Sequence, residues 1–189
     1  DLVLKNATYV NVFSHELLKG DIAIADGVIA GIGDYRGKKT FDASGGVVCP
    51  GLWDAHVHLE SSMVSPREFA RAVIPHGTTA VIADPHEIAN VMGVDGIEYM
   101  LSASRGLPMD VYFMLPSCVP ATPLDENGAR IARREIAALL PRKRVLGLGE
   151  VMDYEGVVAG DADMLGKIAA TQALGMQVDG HAPGLTGKQ

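Results

Sequence analysis

The sequence predicts an α/β protein in two parts, a small β-rich unit over residues 1–46 and a series of parallel βα units over residues 47–189. Three observations predict it. Before Val47 the apolar residues fall in short runs cut by turn dipeptides such as Asp26-Gly27 and Gly45-Gly46. After Gly46 apolar strands alternate with helical stretches, the pattern of a parallel sheet covered by helices. The residues able to do chemistry collect where those strands end.

The β-rich unit rests on the runs Leu2-Val3-Leu4, Thr8-Tyr9-Val10, Asp21-Ile22-Ala23-Ile24 and Val28 to Ile32. The first strand of the second part is the apolar run Val47 to Trp53, ending in Asp54-Ala55-His56-Val57-His58. Ser65-Pro66-Arg67-Glu68 is a capping box with proline at the first helical position, and predicts a helix to about His76-Gly77. Strand two is Thr78 to Asp84. A helix from Val94 to Arg105 stops at Gly106 and Pro108, and strand three is Val111 to Leu115, closed by Pro116. A basic amphipathic helix is predicted from Asn127 to Leu140, strand four from Arg144 to Gly149, a helix from Asp161 to Gly175, and strand five from Met176 to Gly180. That is five strands and four intervening helices.

With 189 residues, 48% of them hydrophobic, the chain can bury a substantial core. A net charge of -7, with no basic block longer than Arg142-Lys143-Arg144, argues against nucleic acid or an anionic membrane as partner and favours a small molecule. The two cysteines, Cys49 and Cys118, sit in apolar sequence outside any CxxC pair, which argues against a disulfide framework and a thiolate metal site. No apolar stretch approaches the ~20 residues of a membrane-spanning helix, and the first residues lack the order of a signal peptide, so a cytoplasmic location is expected.

His56 and His58 carry the strongest chemical signal. Residues two apart on a strand point to the same face, so both imidazoles can reach one ion. Asp84, His86 and Glu87 follow strand two, Glu150 ends strand four and His181 ends strand five, all on the rim where parallel βα folds build active sites. His76, before Gly77, reads as a helix C-terminal histidine, and His15 belongs to the β-rich unit; neither is a candidate. Imidazoles with a carboxylate and no thiolate suit zinc, iron(II), manganese or similar divalent ions. Two such ions sharing a carboxylate lower the pKa of a water between them, which makes hydrolysis the natural reaction class.

Pro50-Gly51-Leu52-Trp53-Asp54-Ala55-His56-Val57-His58, preceded by a small β unit, resembles the amidohydrolase superfamily. Within it, His56 to Met63, Pro75 to Thr79, Ala83-Asp84-Pro85-His86-Glu87-Ile88-Ala89-Asn90-Val91, Gly149-Glu150-Val151-Met152 and Asp179 to Pro183 resemble the adenine deaminases of bacteria and archaea. The resemblance spans essentially the whole chain. It implies a (β/α)8 barrel with an appended β-sandwich, to which residues 1–46 contribute, and a binuclear centre of manganese or iron(II), with zinc as the other choice. It implies deamination of adenine to hypoxanthine and ammonia in a homo-oligomer. By position, His56 and His58 hold the first metal, Glu150 bridges both, and His181 binds the second.

His86 and Glu87 are the choices for proton handling or purine contacts, with Glu60, Ser61 and Asp84 shaping the substrate pocket or orienting the ligand rings. The superfamily pattern also includes a histidine on strand six and an aspartate on strand eight. A closed barrel of eight units needs ~250 residues, so the chain is expected to be one piece of a longer protein that holds about five of the units. Two other readings share the metal ligands: an amidohydrolase acting on a cyclic amide or N-acetyl group, and a non-catalytic barrel scaffold.

Overall fold

The computed structural model describes residues 1–122 and 124–187. The chain divides into two compact units, Asp1–Gly51 and Leu52–Gln189.

The first unit is one sheet. Strand β1 (Leu2–Asn11) lies at its centre, antiparallel to β2 (Glu16–Ala25) and parallel to β4 (Lys39–Asp42) and the short β5 (Val47–Val48), while β3 (Val28–Ile32) pairs with β2. The two apolar runs expected over Leu2 to Val10 are a single strand. Its register shifts between Leu4 and Ala7, where Asn6 takes φ 58°. Asp21 fixes this bulge by accepting from Lys5 Nζ at 2.6 Å and from the Asn6 N–H at 2.9 Å. Asp26 and Gly27 both have positive φ, as the tight β2–β3 hairpin requires. Val3, Ala7, Ile22 and Ala23 are the buried residues of this unit.

The second unit contains β6 (Leu52–Val57), α1 (Pro66–Val73), β7 (Thr78–Ala83), α2 (His86–Met92), α3 (Val94–Ala103) and β8 (Asp110–Pro116). It continues through α4 (Arg133–Leu139), β9 (Val145–Val151), α5 (Tyr154–Ala159), α6 (Ala162–Ala173) and β10 (Gln177–Gly180). The sheet order is β10-β9-β8-β7-β6 with every pair parallel, so strands consecutive in sequence are neighbours in space. This is the strand order of the first five units of a (β/α)8 barrel. Val81, Ala83, Phe113, Leu115 and Leu148 of the sheet pack with Ile97, Leu101, Ile136 and Leu139 of the helices into one core. None of the described helices is long and apolar enough to cross a membrane.

Local chemistry explains most boundaries. Ser65 accepts from the Glu68 N–H at the start of α1, and Asp161 from Met164 at the start of α6. Three expectations need correction. The run Val47 to Trp53 is not one strand: Val47–Val48 pairs with β1 in the first unit, and the parallel sheet begins at Leu52. Among the described residues there are six α-helices in place of four, because two crossovers carry a second helix: α2, beginning at His86 itself, and α5, capped by Asp153. The helix expected over Asn127 to Leu140 is confined to Arg133–Leu139. Upstream of it the backbone serves tertiary contacts instead, the Gly128 N–H bonding Asn90 O at 2.9 Å and the Ile131 N–H bonding Val119 O at 3.2 Å. A Cβ at Gly128 would stand 2.2 Å from Val91 O, so this segment packs too closely to carry a helix surface.

Candidate metal centre

The centre is built at the C-terminal ends of β6, β7 and β9. His56 is the penultimate residue of β6 and His58 follows the strand, and their rings stand edge to face with centroids 5.0 Å apart. Between them Val57 is tied to the next strand, its carbonyl accepting from the Asp84 N–H at 2.9 Å. Glu150, near the end of β9, is the point of convergence. Its Oε1 is 3.2 Å from His56 Nε2, and its Oε2 is 3.5 Å from His58 Nε2 and 3.3 Å from His86 Nδ1.

Two donor groups therefore share Glu150: His56, His58 and Glu150, and Asp84, His86 and Glu150, each with its ligand atoms within 4.8 Å of one another. Asp84 and His86 are almost fully buried, at 1% and 8% exposure. His86 Nδ1 approaches Asp84 Oδ1 to 2.6 Å, yet neither atom is aligned for a hydrogen bond, and Asp84 Oδ2 and His86 Nε2 are likewise buried without a partner. Buried polar atoms normally have partners, so donors that are close and unpaired are what a cation or a ligand would satisfy. The donor set of imidazoles and carboxylates, free of thiolate, fits a divalent metal.

The supporting residues come from the turn after β6 and from α2. Glu87 Oε2 lies 3.1 Å from His58 Nδ1, and its Oε1 accepts from Ser61 Oγ at 3.0 Å. His58 Nδ1 is not aligned for a hydrogen bond with Glu87, but the two stand as a carboxylate–imidazole pair of the kind that orients ligand rings. Glu60 accepts from the Ile88 N–H at 3.2 Å, which pins the turn to α2.

Charge here is dense and sheltered. Burial pushes the Asp84 carboxyl up against the pull of His86, and burial likewise raises Glu60. Burial alone would lower His58, but Glu87, Glu150 and Asp84 around it hold it above the ordinary imidazole value. Burial also opposes Glu87, whose backbone N–H, Ser61 partner and neighbouring His58 nevertheless bring it below the usual carboxylate value. A divalent cation inverts such local preferences by favouring every ionised carboxylate it touches. A cavity of about 510 Å³ opens beside the centre, lined in part by His58, His86, Glu87, Asn90 and Glu150. That is within the size range of small-molecule sites.

Of the residues singled out from sequence, His56, His58, Asp84, His86, Glu87 and Glu150 come together, with Glu60 and Ser61 behind them. His181, after β10, lies outside both donor groups. It is exposed, its N–H reaches Val151 O at 3.3 Å, and it lines a separate cavity with Val151, Tyr154 and Asp179. Sequence reasoning passed over Ser117 and Asp179, which bond the backbone of Glu150 from both sides. Their position at the ends of β8 and β10 was the available signal.

A parallel sheet that carries imidazoles and carboxylates at its C-terminal strand ends is consistent with a barrel-type fold, and the chain belongs to the amidohydrolase family, whose profile matches residues 47–189. Among curated proteins it is 55% identical over 189 residues to adenine deaminase 2 of Carboxydothermus hydrogenoformans, covering 100% of this chain and 33% of that protein. It is 55% identical over 190 residues to adenine deaminase of Kosmotoga olearia, again covering 100% of this chain and 33% of that one. The chain thus spans about a third of the length of these relatives. Among solved structures, atrazine chlorohydrolase TrzN from Arthrobacter aurescens TC1, complexed with zinc, shares the fold at TM-score 0.58 and 18% identity, over 79% of this chain and 46% of that one. A triazine hydrolase variant does so at TM-score 0.61 and 15% identity, over 96% of this chain and 53% of that one.

Proposed function

We propose that the full-length protein hydrolyses adenine to hypoxanthine and ammonia at a binuclear divalent metal centre. The observation that carries this reading is the convergence of His56, His58, Asp84 and His86 on Glu150, in a chain aligned end to end with adenine deaminases at 55% identity. His56, His58 and Glu150 would hold the first metal, and Glu150 would be shared with a second; the ligand role of His181 for that second metal comes from the resemblance alone. Nitrogen and oxygen donors suit manganese, iron(II) and zinc alike, and the resemblance to adenine deaminases is what favours manganese or iron(II), with zinc as the alternative. When bound, the metals supply water acidified enough to act as nucleophile near neutral pH.

This chain's own residues orient and move protons. Glu87 stands beside Nδ1 of the His58 ring and is itself held by Ser61. Asp84 and His86, a close carboxylate–imidazole pair under the cavity, take the proton-handling role, receiving the water proton and delivering one to N1 of the ring or to the departing amine. Water adds at C6, the C6–N bond breaks, and ammonia leaves, so adenine plus water balances hypoxanthine plus ammonia. Glu60 and Ser61 shape the pocket wall.

Residues 1–46 we read as one part of a composite β-sandwich, supported by the open apolar face of Tyr9, Phe13, Ile24 and Ile29. A cytoplasmic location and a homo-oligomeric state belong to the same proposal. The test is ammonia release from adenine by the full-length protein reconstituted with manganese or iron(II). Turnover supports the reading, and a well-folded, metal-loaded protein inert toward adenine contradicts it.

A further inference from the structure

The polar groups behind Glu150 are as ordered as those in front of it. Glu150 takes φ 41°, a left-handed conformation that a side chain other than glycine holds only when its surroundings enforce it. Two side chains grip its peptide groups. Asp179 Oδ1 accepts from the Glu150 N–H at 2.8 Å, and Ser117 Oγ donates to the Glu150 carbonyl at 2.7 Å.

Each grip is anchored in turn. The pairing of β10 with β9 shifts between Val178 and Gly180, and at that break the Asp179 carboxylate serves the Glu150 N–H. Ser117 is fully buried and its N–H donates to Gly149 O at 3.2 Å. Its own carbonyl accepts from Lys167 Nζ at 2.9 Å, on α6. Lys167 is 4% exposed, and its ammonium is balanced by Asp163 at 2.8 Å. An ammonium buried here is costly where an apolar side chain would fill the space. What it provides is a fixed Ser117, and through Ser117 a fixed Glu150 carbonyl.

We infer that Ser117 and Asp179 are positioning residues for the centre: they hold the Glu150 backbone left-handed so that its carboxylate stands where His56, His58 and His86 meet. Released from them, Glu150 returns to negative φ, which turns its Cα–Cβ bond and carries the carboxylate off that point. The inference rests on the reading of Glu150 as a metal ligand.

The experiment measures manganese affinity of the full-length protein by competition with a chelator, together with the melting point of the metal-free form, for the parent and for Ser117→Ala, Ser117→Thr, Asp179→Ala and Glu150→Gln. Supporting residues of metal ligands typically carry about 10–100-fold in affinity. Ser117→Ala and Asp179→Ala are expected to lose that much while the metal-free melting point falls by no more than the loss of one hydrogen bond explains, and Ser117→Thr, which keeps the hydroxyl, is expected to stay near the parent in affinity. Affinity within about fivefold of the parent in both Ser117→Ala and Asp179→Ala overturns the inference. If Ser117→Ala fails to fold, Asp179→Ala, at an exposed position, decides by the same threshold. Glu150→Gln separates the two levels: parental affinity in that variant removes Glu150 from the ligand set, whatever the positioning variants do.

Discussion

Gly149→Ala places one methyl group where β9 passes closest to Asp84. The added Cβ would lie 2.2 Å from Asp84 Oδ2, 3.0 Å from Asp84 Cγ and 2.6 Å from Met114 Cβ, all well inside van der Waals contact. None of these neighbours is a free side-chain end: Asp84 is 1% exposed and Met114 is buried in β8. Overpacking of this kind costs about 1–3 kcal/mol, and contacts this short put it at the upper end. Replacing a strand glycine by alanine returns about 0.5–1 kcal/mol of backbone entropy, leaving a net loss of about 2 kcal/mol. Because the atom that must yield belongs to the donor group, activity should fall with stability. The assay is urea unfolding of the full-length protein beside Gly46→Ala, whose Cβ would meet only Ala43 O at 3.7 Å and which is expected to change stability by less than about 0.5 kcal/mol. If Gly149→Ala unfolds at the same midpoint as Gly46→Ala, the close packing of Asp84 against β9 is refuted.

Arg144→Ala removes a guanidinium that donates to Ser104 Oγ at 2.8 Å, to Val111 O at 3.1 Å and to Leu101 O, tying the end of α3 to β8. A loss of about 2 kcal/mol is expected after allowing for its partial exposure, read from the shift in urea midpoint. Asp84→Asn is expected to keep the parent's metal content and lose on the order of 100-fold in turnover; elemental analysis showing one metal fewer would move Asp84 into the ligand set. Asp21 is held below the usual carboxylate value by the Lys5 ammonium and the Asn6 N–H. With the folded-state pKa lowered, its stabilisation is present above the ordinary carboxylate value and is lost as pH falls through the folded one. The stability gap between the parent and Asp21→Asn should therefore narrow on acidification, and a gap independent of pH would contradict the Lys5–Asp21 pairing.

Legibility followed the range of the physics. Strands β7 and β8 and the start of α1 were plain because an apolar run and a Ser-Pro cap are local signals. His56 and His58 were plain because strand periodicity alone puts them on one face. The short α2 and α5 were not, since neither carries enough periodic apolar residues to stand out. The segment before α4 has a helical pattern, and its close approach to Asn90 and Val91 overrode it. The left-handed turn at Glu150 had no signal of its own, because glutamate does not advertise positive φ; only the three-dimensional meeting of Ser117 and Asp179 explains it.

Glu150 is the residue proposed to hold a divalent metal. This ligand role is tested most directly by anomalous diffraction at the manganese edge from crystals of the full-length protein grown with manganese. A peak at coordinating distance from His56 Nε2, His58 Nε2 and a Glu150 oxygen is expected. Well-ordered His56, His58 and Glu150 with no peak among them, or manganese bound only elsewhere, would contradict it.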